Sequence, residues 1–389
     1  MRIIYGYSNC TDALYRKICS ERNVSTMAPD QKYHSLMIKG LAANVDEVRC
    51  FSGLPINRAV TARKLVSEPD EQVGNVHYHY ITTLNFPVIR QLMVFFGTLF
   101  GMLRLKKQKD TYAVCDFLNF AVAMAIVVGC KLRRIKKIAI VTDIPDMFDS
   151  GSMSKKVRNF ALRRFDAYVF LTEYMKEFTP AGKPYIVMEG HVDSEAAFAP
   201  PQETYEETLG KKVVIYAGNI HAKYGIEYFV NGFVKADIPD AELRVYGHGD
   251  YCEKLQSIAA EHPQVRYMGV RDNAEVVAEE QRASLLVNPR PTAPIYTKYS
   301  FPSKNMEYIV SGTPMMTTVL PGMPEEYYPY VWLIEDETED GAAQALKAFF
   351  ALPFAERRKK AQAARAYVLE NKTNVAQAKR IVDFLTEQF

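Results

Sequence analysis

The chain is poor in paired cysteines, in long apolar runs and, through its first half, in acidic residues. Its six cysteines (Cys10, Cys19, Cys50, Cys115, Cys130 and Cys252) are scattered, with no Cys-x-x-Cys pair. Neither a zinc site nor a disulfide framework can be read from that spacing, and packed, reduced thiols are the expectation. The longest apolar stretch, Phe117 to Cys130, is interrupted by Asn119. It falls short of the ~20 residues that span a bilayer. Met1-Arg-Ile-Ile-Tyr-Gly-Tyr is too short and too polar afterwards for a secretory leader, so a cytoplasmic protein is expected. Repeats of solenoid length are also missing.

What remains is a large globular composition. The 389 residues are 48% apolar and 24% charged, which excludes disorder and suits two cores. Charge is divided unevenly. Residues 1–190 carry 27 Lys+Arg against 17 Asp+Glu and residues 191–389 carry 21 against 28, so +10 and −7 make up the net +3. The first half is expected to face something anionic.

Short β-branched runs alternate with helix-period segments, twice over. Strands are expected at 2–7, 47–51, 76–80, 112–116, 138–142 and 167–171, then at 212–217, 243–246, 264–268, 284–288, 315–318 and 331–334. Helices are expected over 226–234, 251–260, 273–282 and 341–351, with a helical tail from 354. The pattern reads as α/β, with two Rossmann-like parallel-sheet domains facing a cleft. The expected division is 1–190, 191–366 and a C-terminal helix, 367–389, packing back on the first domain. Two facing domains of this kind suit a transferase that takes one substrate on each.

Chemistry concentrates in Tyr299-Ser-Phe-Pro-Ser-Lys-Asn-Met-Glu-Tyr-Ile-Val-Ser-Gly-Thr-Pro314. Pro302 fits a first helical position and Gly312 the position past the end, so a short helix is expected over 302–311. Its free amides near Ser303 and Lys304 suit an anion such as a diphosphate. Glu307, one turn on, suits the vicinal hydroxyls of a ribose. The plainer reading is a Ser303 cap with Glu307 favouring the first turn.

These residues resemble the donor-site signature of family 4, GT-B-type glycosyltransferases, in the Phe-Pro-Ser-Lys variant of capsule, exopolysaccharide and lipid-linked glycan enzymes. Tyr216-Ala-Gly-Asn-Ile-His-Ala-Lys-Tyr-Gly225, Leu243-Arg-Val-Tyr-Gly-His-Gly249 and Val265-Arg-Tyr-Met-Gly269 are similar to that family in the same order. The likeness covers 212–335. It is diffuse over 1–190, where Gln31-Lys-Tyr-His-Ser-Leu36 and Val141-Thr-Asp-Ile-Pro-Asp146 are familiar. The resemblance implies a retaining, metal-independent hexosyltransferase that moves a sugar from a UDP-sugar to a glycan or lipid-linked acceptor. It implies that Lys223 meets the donor diphosphate, Gly218 admits the sugar, Glu307 holds the ribose, and the amides of Ser303 and Lys304 hold the distal phosphate.

Two positions depart from the family. Tyr299 stands eight residues before Glu307, where the family often has a first Glu on the donor sugar. Donor choice is then altered, or activity is lost. Asn219 stands where an Arg often follows Gly218. Arg290, in Asn288-Pro-Arg-Pro291, would supply the missing cation or is a structural residue of a proline-braced loop. In the first half, Asp143 ends a strand and would orient a sugar hydroxyl, or would cap the turn at Ile144-Pro145. His34, His79 and His191 are cleft candidates that also fit ordinary structural roles. No cofactor and no metal are expected, because no Asp-x-Asp pair or His/carboxylate cluster has a suitable setting.

The stretch 86–105 is apolar nearly all round and runs into Lys106, Lys107 and Lys109, with further clusters at 131–137, 155–158 and 163–164. This is the equipment of a protein that docks on an anionic membrane surface, or else a core helix with a solvated basic face. Nucleic acid is not expected, since no recognition motif accompanies the charge. A catalytically silent nucleotide-sugar binder and a sugar-nucleotide epimerase are the alternatives to a transferase.

Overall fold

The computed structural model describes residues 1–22, 29–56, 60–143, 152–198 and 202–389. Two compact units emerge: residues 1–191 with 373–389, and residues 192–372.

The first unit is laid down as β1 (Arg2–Gly6), α1 (Asp12–Ser20), α2 (Pro29–Ala42), β2 (Glu47–Ser52), β3 (Leu65–Val66), β4 (Glu71–Val73), β5 (Val76–Tyr80), β6 (Thr83–Leu84), α3 (Pro87–Arg104), β7 (Thr111–Asp116), α4 (Phe120–Arg133), β8 (Lys136–Val141), α5 (Ser152–Leu162), β9 (Ala167–Phe170) and β10 (Tyr185–Val187). Eight strands form one sheet in the order β10-β9-β8-β7-β1-β2-β5-β4. Every pairing is parallel except β4 with β5, while β3 and β6 make a separate antiparallel pair. Central strands buried on both faces need unbroken apolar runs, and β1 and β8 supply them with Ile3, Ile4, Ile138 and Ile140.

The second unit runs α6 (Tyr205–Leu209), β11 (Lys212–Asn219), α7 (Ile226–Ala236), β12 (Ala241–His248), α8 (Cys252–Glu261), β13 (Val265–Gly269), α9 (Asn273–Arg282), β14 (Leu285–Asn288), α10 (Ser303–Ser311), β15 (Met315–Thr318), β16 (Trp332–Ile334), α11 (Glu339–Ala351) and α12 (Phe354–Asn371). Its six strands are all parallel, in the order β13-β12-β11-β14-β15-β16. This is the doubly wound 3-2-1-4-5-6 order of a Rossmann unit. A buried Arg357 ties α12 to α6 through a two-bonded pair with Glu206, at 2.7 and 3.0 Å.

The last helix, α13 (Asn374–Gln388), belongs to the first unit and lies on α2. The Asn374 amide donates to the Leu36 carbonyl (3.0 Å) and that of Gln377 to the Gly190 carbonyl (2.8 Å). The chain therefore re-enters the first unit at Thr373 rather than at 367, because the long helix expected from 354 breaks at Lys372-Thr373 and Thr373 caps a new one.

Helix α3 is amphipathic in an inverted sense. Val94, Thr98 and Met102 are buried, and Gly97 and Gly101 let the helix back closely onto Ile81 and Phe51. Val88, Ile89, Leu92, Phe96, Phe100 and Leu103 remain exposed. At ~100° per residue these six fall within a ~120° arc. The helix expected over 86–105 is thus half core and half bare apolar face. At its carboxyl end Arg104, Lys106, Lys107 and Lys109 are exposed, as are Lys131 and Arg134 of the neighbouring α4 end. Arg133 fixes that neighbourhood by donating to the carbonyls of Met102 (2.8 Å) and Leu103 (2.9 Å). Among the described residues, no helix is long and apolar enough to cross a membrane.

Candidate functional site

In the second unit the chain leaves β11 and β14, which lie side by side, in opposite directions along the sheet. The crevice beyond the carboxyl ends of such a strand pair is where α/β sheets bind ligands. Gly218 and Asn219 end β11, and Pro289 and Arg290 follow β14.

Helix α10 is positioned against this crevice by a phenol. Tyr308, buried, accepts from the Ala217 amide (2.9 Å) and donates to the Ala217 carbonyl (3.1 Å). Burial pushes its pKa well above the usual tyrosine value, so it stays a donor. Asn288 in β14 donates to Asn305 in α10 (2.5 Å), a second tie. Pro302 is the N-cap rather than the first helical residue, and no side chain caps the helix. Proline's fixed φ suits either position, but here ψ is 116°, outside the helix. Ser303 is exposed and does not cap. The amides of Ser303 and Lys304 therefore have no intrahelical acceptor and present partial positive charge, while that of Asn305 donates to the Pro302 carbonyl (2.9 Å).

Lys304 and Glu307 lie together, at 3.1 Å. Its ammonium is shared with Glu280 of α9 at 3.2 Å, and Glu280 is fully buried. Burial opposes the charge on Lys304, yet the two carboxylates outweigh it and hold its pKa above the ordinary lysine value. The side chain is thereby committed to the two carboxylates of Glu280 and Glu307.

Lys223 and Arg290 converge on one aromatic ring. The Lys223 ammonium lies 5.2 Å and the Arg290 guanidinium 4.8 Å from the centre of Tyr224. The Nε of Arg290 is buried without a hydrogen-bond partner, as are the hydroxyls of Tyr296 and Ser300. Tyr299 ends a turn of 3-10 helix, Ile295–Tyr299, just ahead of Pro302. Asn219 offers its carbonyl to the Tyr216 hydroxyl (2.7 Å). Asp250 accepts from His221 (3.0 Å) and from the Ala222 amide (3.0 Å), and these bonds hold its pKa below the usual carboxylate value.

Two glycines behave differently. Gly247 has φ of +130°, and a Cβ there would run into the Gly218 carbonyl, so the Gly-His-Gly turn is required by packing. A Cβ on Gly218 would meet nothing nearer than the Tyr216 hydroxyl, at 3.7 Å.

In the first unit, Asp143 follows β8 by two residues and is half-buried, while Ile144 to Asp146 lie outside the described residues. His34 is a core residue. It accepts from the Tyr5 hydroxyl (2.6 Å) and donates to Asp116 (3.1 Å), the tautomer that satisfies both partners. His79 pairs with Asp70 (2.7 Å). His191 donates to the Tyr33 carbonyl (3.0 Å), and burial takes its pKa down to about 4, so it is neutral near pH 7. Among the described residues no group of three His, Cys, Asp or Glu could hold a metal ion.

Sequence reasoning missed Tyr308, Glu280 and Tyr224. Tyr308 had a signal, since it lies four residues after Lys304 on one helix face. Glu280 had none, because its pairing is tertiary.

Residues 211–351 match the family model for glycosyl transferases group 1. The whole chain shares its fold with solved structures at low identity. The Anabaena protein HepE in complex with UDP is 13% identical with a TM-score of 0.64, and all of each chain is covered. Sucrose-phosphate synthase from Thermosynechococcus elongatus is 13% identical with a TM-score of 0.65, covering 100% of this chain and 98% of the other. The E. coli trehalose-6-phosphate protein bound with UDP-2-fluoro glucose is 12% identical with a TM-score of 0.67, covering 100% and 99%. No curated protein matches the sequence. Residues 211–351 thus resemble a glycosyl transferase group 1 domain, within a chain that has the GT-B fold of these structures.

Because space over Gly218 is open, Gly218→Ala should leave unfolding within ~0.5 kcal/mol of wild type. Gly247→Ala should lose more than ~1–2 kcal/mol. Thermal denaturation of both checks this, and equal losses would make Gly218 a packing glycine with no claim on a ligand.

Proposed function

We propose that this protein is a retaining, family 4-type hexosyltransferase that moves a sugar from a UDP-sugar to a glycan or lipid-linked acceptor without a metal ion. The observation that carries the reading is the uncapped start of α10, held beside the end of β11 with Glu307 fixed one turn on. Fixed amide dipoles and nearby cations stabilise a departing diphosphate as a metal would, and they need no reorganisation as charge develops. In this reading the amides of Ser303 and Lys304 take the distal phosphate, Lys223 and Arg290 supply positive charge, and Glu307 accepts from the ribose hydroxyls. Gly218, Asn219 and Tyr299 border the sugar. On the first unit, Asp143 at the end of β8 is the residue we assign to an acceptor hydroxyl.

The acceptor oxygen bonds to the anomeric carbon as the bond from that carbon to the distal phosphate oxygen breaks. The departing UDP takes the acceptor proton on the same face, and configuration is retained. The absence of the family's first Glu, with Tyr299 in its place, favours one second reading: a binder of nucleotide sugars that does not transfer them.

The basic first half is the part we assign to an anionic membrane surface, with the bare row of α3 entering the lipid interface and the cations beyond it meeting headgroups. Such a protein would be cytoplasmic and peripheral on the inner face of the cell membrane.

Screening nucleotide sugars for nucleotide release with membrane-extracted acceptors tests the reaction. Turnover should persist in EDTA. Tyr299→Ala should reduce transfer far more than it reduces affinity for UDP, because a hydroxyl contact of ~0.5–1.5 kcal/mol and its ring packing act on the sugar alone. A wild type that binds UDP-sugars and never transfers or hydrolyses them would favour the binder. Turnover lost in EDTA and restored by magnesium would overturn metal independence.

Sedimentation with vesicles tests the docking face. Binding to vesicles containing phosphatidylglycerol is expected, and exchanging Lys106 and Lys107 for Glu should weaken it more than about tenfold, at ~1 kcal/mol per charge. Phe96→Ser with Phe100→Ser should weaken it as well. Wild type and variants that ignore both anionic and neutral vesicles would remove the membrane from the account.

A further inference from the structure

The chain segments that border the second unit's crevice carry cations and no acid. Residues 216–226 and 289–306 include Lys223, Arg290, Lys298 and Lys304, and neither stretch contains Asp or Glu. Carboxylates on the flanking elements are engaged elsewhere. Glu280 and Glu307 share the Lys304 ammonium, Asp250 pairs with His221, and Glu337 accepts from the Thr292 amide (2.9 Å).

Arg290 is central to this acid-free border. Its guanidinium stands 4.8 Å from the centre of the Tyr224 ring. Among the described residues no carboxylate pairs with it, and its buried Nε has no hydrogen-bond partner. Burial raises the pKa of Tyr216 and of Tyr296, and the Arg290 charge opposes the rise at both, so the guanidinium lies close to three phenol rings. The Tyr216 hydroxyl is in turn the nearest group to the open space over Gly218, 3.7 Å from where a Cβ would stand. Arg290 is thereby linked to the space beside Gly218.

Two further polar groups in the same loop lack partners. The hydroxyls of Tyr296 and Ser300 are buried with no hydrogen bond. Buried polar atoms are nearly always satisfied in a folded chain, so three in one loop, all able to donate, mark a place where ligand oxygens are due. Sugar hydroxyls are a poor match for this set, because each also has a proton to donate and no carboxylate stands here to accept it. A carboxylate accepts from every member, and a guanidinium meets it through two parallel bonds.

We infer that the sugar this protein transfers is itself acidic: the donor is a UDP-hexuronate whose carboxylate is held by the Arg290 guanidinium and the Tyr296 and Ser300 hydroxyls. This rests on the reading of the protein as a UDP-sugar transferase and narrows its donor class. A guanidinium has five N–H donors, so Arg290 binds a carboxylate and still adds to the positive field at the diphosphate. Lys223 and the amides of Ser303 and Lys304 stay with the diphosphate.

Calorimetric titration with UDP and two matched pairs, UDP-glucose with UDP-glucuronate and UDP-galactose with UDP-galacturonate, tests the inference, since each pair differs by the carboxylate alone. At least one acid should bind about tenfold or more tighter than its neutral counterpart. Arg290→Gln should weaken that acid about tenfold more than it weakens the neutral sugar, and Arg290→Lys should keep part of the preference. Tyr296→Phe keeps the ring and should narrow the preference by about threefold. Neutral sugars that bind as tightly as both acids would overturn the acidic donor and leave the UDP-sugar reading in place. Equal losses for UDP and every UDP-sugar in Arg290→Gln would do the same, by confining Arg290 to the diphosphate. Failure of UDP and all four UDP-sugars to bind would overturn the donor reading itself and this inference with it.

Discussion

The crevice beyond β11 and β14 depends on a lysine held between two carboxylates. Lys304 holds a fully buried carboxylate, Glu280, and a half-exposed one, Glu307, within 3.2 Å of one ammonium. Removing the lysine would leave Glu280 buried without that cation, the kind of loss that costs several kcal/mol. The ion pair joins α9 to α10, and Tyr308 joins α10 to β11, so the helix start cannot shift without breaking a buried contact. A site built to stabilise developing charge needs this rigidity, because dipoles that must reorient give back much of what they contribute.

The two units repeat one topological device. Each is a largely parallel sheet with a reversal of strand order near its middle. In the second unit the reversal is bordered by an uncapped helix start, a carboxylate and two cations gathered on Tyr224. In the first it is bordered by the Arg90 and Arg158 guanidinium groups and the Asn119 amide, with no carboxylate among the described residues.

Much of the architecture was legible in the sequence because buried parallel strands must be continuously apolar. β5 and β15 fall on the expected residues, as does α9. The antiparallel edge strand β4 escaped notice because Glu71-Gln-Val73 is short and polar, as edge strands tend to be. The helix at 303–311 was legible from Pro302 and Gly312, and so was the closeness of Lys304 and Glu307, since both are local consequences of helix geometry. The pairing of Lys304 with Glu280, the shared ring of Tyr224 and the Tyr308 bridge join segments far apart in sequence, which no local spacing encodes. The apolar stretch 86–105 was ambiguous for a further reason. Composition cannot tell which side of an all-apolar helix meets the sheet, and only the close approach of Gly97 and Gly101 to the body shows which row is left bare.

The central claim is that the opening amides of α10 hold an anionic ligand, and amide hydrogen exchange across the start of that helix tests it most directly. In the free protein the amides of Ser303 and Lys304, with no intrahelical acceptor, should exchange fast. Saturating UDP-glucose should slow them sharply, together with the 216–219 segment, and should leave the 341–351 helix unchanged. Binding of UDP-glucose that leaves exchange at Ser303 and Lys304 as fast as in the free protein would contradict the account.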